Sequence, residues 1–290
     1  MRSRDSDEEM LIRIGHSPDP DDAFMFHALT TGAFDTPGYK FIHELQDIET
    51  LNQRAMNCDL EVSAVSIHAY PDIATDYELM NCGASMGEGY GPMIVAKKGV
   101  TIETAKKSTI AIPGTKTSAY LGLRLCWGDV QYEVVPFDEI IPQILSDRYV
   151  SGLIIHEGQL TYSDYDLDIL VDLGKWWNEK TGGLPMPLGG NVVRRDLGKR
   201  AMEEITRYTK MSIEHSIANP EQALEFAKAW GRGIDDATNK KFVTMYVNER
   251  TIDYGEDGRE SIRKFISEGQ EIGLIDSGFD VEKIGFIGSE

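Results

Sequence analysis

The chain has 290 residues, enough for two hydrophobic cores of roughly 100 to 150 residues each, and its 41% hydrophobic and 27% charged content is that of a globular protein. A formal net charge of -19 argues against nucleic acid as a partner, because a polyanion is held by clusters of Lys and Arg and this sequence has none. Three cysteines, Cys58, Cys82 and Cys126, form no C-x-x-C pair and leave at least one unpaired, which fits a reducing compartment.

Residues 1–10 (MRSRDSDEEM) lack the apolar stretch of about 7 to 15 residues that a secretory signal needs. No window approaches the roughly 18 apolar residues of a membrane span. A cytoplasmic location without a membrane partner is expected. Residues 11–15 (LIRIG) alternate as a first strand, which Ser17-Pro18-Asp19-Pro20 breaks; a helix over 21–32 follows, with Pro20 suited to its first turn, Ser17 or Asp19 able to cap it and Gly32 as its stop. A second strand covers 39–45, Asp47 caps a helix over 48–56, and 61–70 (EVSAVSIHAY) reads as a strand passing into a short helix. The glycine-rich stretch 83–91 enters a strand over 91–98, whereas a dinucleotide fingerprint opens a helix, so these glycines serve turn geometry or close backbone contact.

A second block repeats the pattern: strand and turn over 108–114, helix over 115–127, strand over 132–137, a short helix over 137–145 interrupted by Pro142, and a strand over 152–157. Residues 188–194 read as a strand returning to the first lobe, followed by helices at 196–219, 220–230, 235–248 and 257–272. Strands alternating with helices predict an α/β fold with parallel sheets under helical cover. Two lobes are expected, one from residues 10–96 plus 195–290 and one from 97–194. Two crossings would join them and leave a hinged cleft that closes over a small ligand.

The strongest chemical signal is Gly152-Leu153-Ile154-Ile155-His156-Glu157, an apolar run ending on a histidine and a carboxylate. Such a run reads as a strand buried on both faces, and ligands of open α/β sheets bind outside the strand ends. His156 is thus a candidate general base, or a core histidine that holds a loop. Glu157 could orient His156 or, as strand alternation suggests, point to the opposite side.

A strand, a small-residue turn and a helix start meet at Pro113–Ala119, where helix amides, the Thr117 and Ser118 hydroxyls and Lys116 could bind a carboxylate or phosphate. Gly114 would allow close backbone approach, and Thr117 or Ser118 could instead only cap the helix. The similar turn at Ser17–Asp22 is less suited to anions, because Asp19, Asp21 and Asp22 crowd it. The Asn52 amide could orient a hydroxyl or bond only the backbone, Ser66 could line the cleft or satisfy a local turn, and His16 could face the cleft. Trp176 and Trp177 could pack the lobe or wall the site. His16, His27, His43, His68 and His215 are scattered without i, i+4 partners, so no metal is expected, and His27 reads as core.

The segments SPDPDDAFMFHAL, QDIETLN, GYGPMIVA, PGTKTSAYL, GLIIHEGQLTY and VDLGKWW with TGGLPMPLGG, in this order over most of residues 11–200, resemble a family of menaquinone-biosynthesis enzymes. It is the 1,4-dihydroxy-6-naphthoate synthase (MqnD) family of the futalosine pathway. The resemblance implies a two-lobed, type II periplasmic-binding-protein-like fold used as a cytoplasmic lyase. It implies conversion of cyclic dehypoxanthinyl futalosine to 1,4-dihydroxy-6-naphthoate, with loss of a three-carbon fragment and no cofactor. The general base of the family's LIIHE motif falls on His156, and family ligand contacts fall on Asn52, Ser66, Ser118 and Ala119.

The partner expected is a small-molecule carboxylate, and monomer and homodimer both stay open. The family's first turn reads S-P-C-P-N-D-T-F, whereas this chain has Asp19, Asp21 and Ala23 in place of the Cys, Asn and Thr. Two added carboxylates should repel an acidic substrate unless they point away or bind a cation. The related chorismate dehydratase shares the fold but matches LIIHE poorly. The rival from another class is a non-catalytic solute-binding protein for a small carboxylate metabolite.

Overall fold

The computed structural model describes residues 9–156, 158–230 and 235–288, so the expectation for Glu157 lies outside the described residues. Among the described residues, twelve strands form two sheets: β1 (Met10–His16), β2 (Tyr39–Leu45), β3 (Val62–Ser66), β4 (Tyr77–Met80), β5 (Ser85–Gly87), β6 (Met93–Lys97), β7 (Ile110–Ile112), β8 (Tyr132–Val134), β9 (Ser151–Ile154), β10 (Leu167–Asp172), β11 (Met186–Arg194) and β12 (Phe286–Ile287). The first sheet runs β12-β4-β11-β3-β1-β2 with β5 against β11, and the second runs β10-β6-β9-β7-β8.

Both sheets are mixed, not parallel throughout. β1 is parallel to β2 and β3, and β7 to β8 and β9, as strand-helix-strand units require. β11 is antiparallel to β3, β4 and β5, and β6 is antiparallel to β9 and β10. These two strands are where the chain passes from one sheet to the other, so no crossover helix within a sheet sets their direction. Their pairing also moves the division expected at 96/97 and 194/195: β6 belongs to the second sheet and β11 to the first. An apolar run signals a strand but not which sheet takes it.

Helix Pro20–Thr31 begins on Pro20 and ends at Gly32, whose φ of 65° is the left-handed stop the sequence predicts. With helix Lys199–Ala218 it buries Phe24, Met25 and Phe26 against Ile205, Tyr208 and Ile213 beside the first sheet. The second sheet has its own core around Val95, Ile140 and Ile154. A third cluster bridges the lobes, with Val65 and Leu79 from the first sheet and Ile110 and Leu153 from the second. Helix Gly255–Glu271 adds Ile262, Phe265 and Ile266 to it, beside the fully buried Trp177. Burying that much apolar surface between the lobes is the main force that holds them together. Among the described residues, no helix is long and apolar enough to cross a membrane.

Candidate functional site

A cleft with a cavity volume of about 110 Å³, partly open to solvent, lies between the lobes. Its first-lobe wall is made by Ser17, Asp19, Asp21, Asp22 and Met25 at the start of helix Pro20–Thr31, with Ala64, Val65 and Ser66 at the end of β3. Thr117, Ser118, Ala119, Ile155 and His156 face them from the second lobe. Leu188, Gly189 and Asn191 of β11 close the floor, and Phe242 and Tyr246 arrive from helix Asp236–Tyr246.

His156 stands two residues beyond β9, in a left-handed turn with φ of 54°. Few non-glycine residues adopt that conformation, and it costs of order 1 kcal/mol or more unless the surroundings impose it. Nδ1 lies 2.7 Å from Asp19 Oδ2, and the ring meets Phe137 edge-on with centroids 4.9 Å apart. The imidazole is therefore one-sixth exposed inside the cleft rather than packed into a core.

Asp21 and Asp22 also line the cleft, and their carboxyls titrate well above the usual carboxylate range, first through burial and then through the charge of Asp19. Asp22 Oδ2 accepts the Ser17 N–H at 2.6 Å, while Asp21 Oδ1 has no hydrogen-bond partner. Burial likewise pushes the Tyr246 hydroxyl far up, and it donates to Gln159 Oε1 at 2.6 Å.

Of the residues expected at the site, His156, Ser66, Thr117, Ser118 and Ala119 line the cleft. Asn52 does not. It is fully buried behind Ser66, donating from Nδ2 to Ser66 Oγ at 3.1 Å and to the Lys116 carbonyl at 3.5 Å, and accepting the Ser66 N–H on Oδ1 at 2.8 Å. Asn52 thus orients a wall residue and ties the lobes together, because its helix brings it one layer below the surface.

The anion reading of Pro113–Ala119 is narrowed by the same bonds. Thr117 Oγ1 donates to the Gly114 carbonyl and accepts the Tyr120 N–H, so it is the helix cap. Ser118 Oγ donates to the Leu188 carbonyl at 2.6 Å and accepts the His68 N–H at 3.2 Å. Both hydroxyl protons are therefore engaged, and the donors that this turn offers the cleft are the first-turn amides of Ser118 and Ala119. Gly114 makes room for a protein group, since a Cβ there would sit 2.4 Å from the Glu49 carboxylate that accepts the Lys116 N–H. Lys116 Nζ pairs with Asp72 at 2.5 Å, outside the cleft lining.

His16 does not face the cleft. Its ring stacks on Phe26, Nε2 lies 3.1 Å from His43 Nδ1, and burial lowers its pKa to about 4. Trp177 is core, donating from Nε1 to Ser261 Oγ at 2.9 Å, and Trp176 lies under the Lys180 ammonium, so neither walls the site. His27 packs beside Phe226 and His215 in the helical layer, in keeping with its core reading. The roles of Asp19, Met25, Gln159, Phe242 and Tyr246 escaped the sequence. Asp19, Met25, Phe242 and Tyr246 reach the cleft of His156 only through the fold, whereas Gln159 is held beside it by its own N–H on the His156 carbonyl.

The family model described as menaquinone biosynthesis matches residues 12–271. A 1,4-dihydroxy-6-naphthoate synthase from Thermus thermophilus is 36% identical over 264 residues, covering 91% of this chain and 95% of its own length. A crystal structure of a protein from Archaeoglobus fulgidus superposes with a TM-score of 0.87 at 43% identity, over 91% of this chain and 98% of that one. The alkanesulfonate-binding protein of Xanthomonas axonopodis pv. citri, bound to MOPS, has a TM-score of 0.71 at 10% identity over 95% and 98% of the two chains. That likeness confirms the periplasmic-binding-protein-like fold. With the match spanning nearly the whole described chain, this protein belongs to the menaquinone-biosynthesis family and is an enzyme.

Proposed function

We propose that this protein is a cytoplasmic carbon-carbon lyase of menaquinone biosynthesis that converts cyclic dehypoxanthinyl futalosine to 1,4-dihydroxy-6-naphthoate, with His156 as general base. The observation that carries this reading is the placement of His156 in the interlobe cleft, opposite Ser66 and beside the amides that open helix Ser118–Trp127. The 1,4-dihydroxy-6-naphthoate synthase of Thermus thermophilus supports the reaction class.

The base removes a proton from the sugar-derived part of the substrate so that the carbon-carbon bond can break, and aromatisation of the new ring supplies much of the driving force. Base catalysis of this kind contributes about 10² to 10⁴ in rate, and closure of the lobes excludes water and fixes the reacting geometry. The substrate carboxylate rests on the Ser118 and Ala119 amides. The raised titration of Asp21 and Asp22 favours their neutral forms, which reduces the repulsion that three carboxylates would otherwise exert on an acidic ligand.

The test is incubation of purified protein with cyclic dehypoxanthinyl futalosine and detection of the naphthoate by liquid chromatography and mass spectrometry. Product from the wild type, and its loss in a His156→Asn variant that still gains thermal stability from the substrate, is the expected result. A wild type that binds the substrate without turning it over would overturn the reading in favour of a solute-binding protein.

A further inference from the structure

We infer that Asp19 is a positioning residue for His156, supplied across the cleft by the opposite lobe. The inference rests on the assignment of His156 as base and says which group makes it one.

Asp19 occupies the N-cap position of helix Pro20–Thr31, where an aspartate ordinarily accepts a backbone N–H of the first turn. Here its side chain makes no such cap bond. Asp19 is 2% exposed, and its Oδ2 lies 2.7 Å from His156 Nδ1. The cap is carried by the first sheet and the histidine by the second, so the pair forms only when the lobes are together.

A carboxylate at Nδ1 holds the neutral ring in the tautomer with its proton on that nitrogen, which makes Nε2 the basic nitrogen. Once Nε2 takes up the substrate proton, the imidazolium is stabilised by the adjacent negative charge in a site of low polarity. The left-handed backbone at His156 and the edge of Phe137 restrain the ring in the same sense. Among the described residues, the other titratable groups lining the cleft on this face are Asp21 and Asp22, at the start of the helix whose N-cap position Asp19 holds, and Tyr246 of helix Asp236–Tyr246. Burial favours the neutral form of all three, and of the three aspartates of this turn it is Asp19 whose carboxyl group lies against the ring.

The experiment has one readout that does not depend on the identity of the substrate. Histidine-labelled wild type and Asp19→Asn are titrated by NMR, with His156 assigned by its absence from the spectrum of His156→Asn. The expected result is a fall in the His156 titration midpoint in Asp19→Asn and loss of the single Nδ1-protonated tautomer. An unchanged midpoint and tautomer would overturn the inference whatever the enzyme acts on.

With turnover established, Asp19→Asn should lower kcat by at least about tenfold with little change in KM. The acidic limb of its kcat/KM profile should move to lower pH, because removing the anion makes the imidazolium easier to deprotonate. Asp19→Glu should restore part of the rate, whereas a residue of merely structural importance would alter stability in both variants and leave the pH profile in place. A wild type without turnover would refute the proposed reaction and leave the NMR result to decide the pairing.

Discussion

Asn52 and Ser66 hold each other by two hydrogen bonds, a side-chain amide closing on both the hydroxyl and the backbone N–H of the residue that ends β3. The same amide reaches the Lys116 carbonyl of the other lobe. One fully buried residue therefore sets the wall of the cleft and the distance across it.

Asn52→Ala should destabilise the fold by about 1 to 3 kcal/mol, since it leaves the buried Ser66 N–H without its acceptor. It should also raise KM more than it lowers kcat. Urea unfolding followed by steady-state kinetics checks both. A KM equal to that of the wild type would mean that Ser66 does not touch the substrate.

Ser118→Asp puts a negative charge at the amides expected to hold the substrate carboxylate. It should raise KM by about tenfold or more, because a like charge in a partly desolvated site costs over 1 kcal/mol. Ser118→Ala, which only forfeits the bonds to Leu188 and His68, should act mainly on stability. If the two variants raise KM equally, the anion does not sit at this turn.

The buried carboxyl of Asp21 makes stability depend on pH with a definite sign. Its folded-state pKa lies above the reference value of 3.8, through burial first and the Asp19 charge second. The folded protein therefore keeps a proton that the unfolded chain gives up. This contribution is complete below the unfolded value and is lost as pH rises through the folded one. Asp21→Asn has no such loss, so its melting temperature relative to wild type should climb between about pH 4 and pH 8. Thermal melts at both ends of that range measure it, and a constant difference would show that Asp21 titrates normally.

Gly83 has a φ of 78°, and a Cβ there would lie 2.0 Å from Asn191 Nδ2, which donates to the Gly83 carbonyl. Gly83→Ala should cost more than about 1 kcal/mol, the left-handed penalty plus displacement of Asn191 from the cleft floor. Calorimetry and KM together report it, and a variant as stable as wild type would show that the turn can relax.

Much of the fold was legible because its signals were local. Helices Pro20–Thr31, Ile48–Met56 and Lys199–Ala218 follow caps and apolar spacing within a residue or two or three of their expected ends. β4, β10 and β12 were not anticipated. β12 has two residues, and the surface-facing Asp168 and Ile169 break the burial pattern of β10. Helix Leu173–Thr181 was also overlooked, although Asp172 caps it and Gly182 ends it in a left-handed conformation.

At the site, His156 was legible from the abrupt end of an apolar run. The turn at Asp19–Asp22 was read as a helix start and as a source of repulsion for an anion, because a sequence shows the sign of a charge but not what faces it across a cleft. The place of Asn52 behind Ser66 depends on how deeply its helix sinks, which periodicity does not give.

Helix Gly255–Glu271 bolts the two halves along one edge. Ser261 accepts the indole N–H of Trp177 and donates to the Pro185 carbonyl, and Glu268 pairs with Lys180. Phe265 fits against the Trp177 ring. Prising that edge apart would expose a fully buried tryptophan, whereas Asp19 and His156 meet across the cleft by a polar contact. Any opening of the cleft on the side where Asp19 meets His156 would part these two side chains, and closing would bring them back into contact.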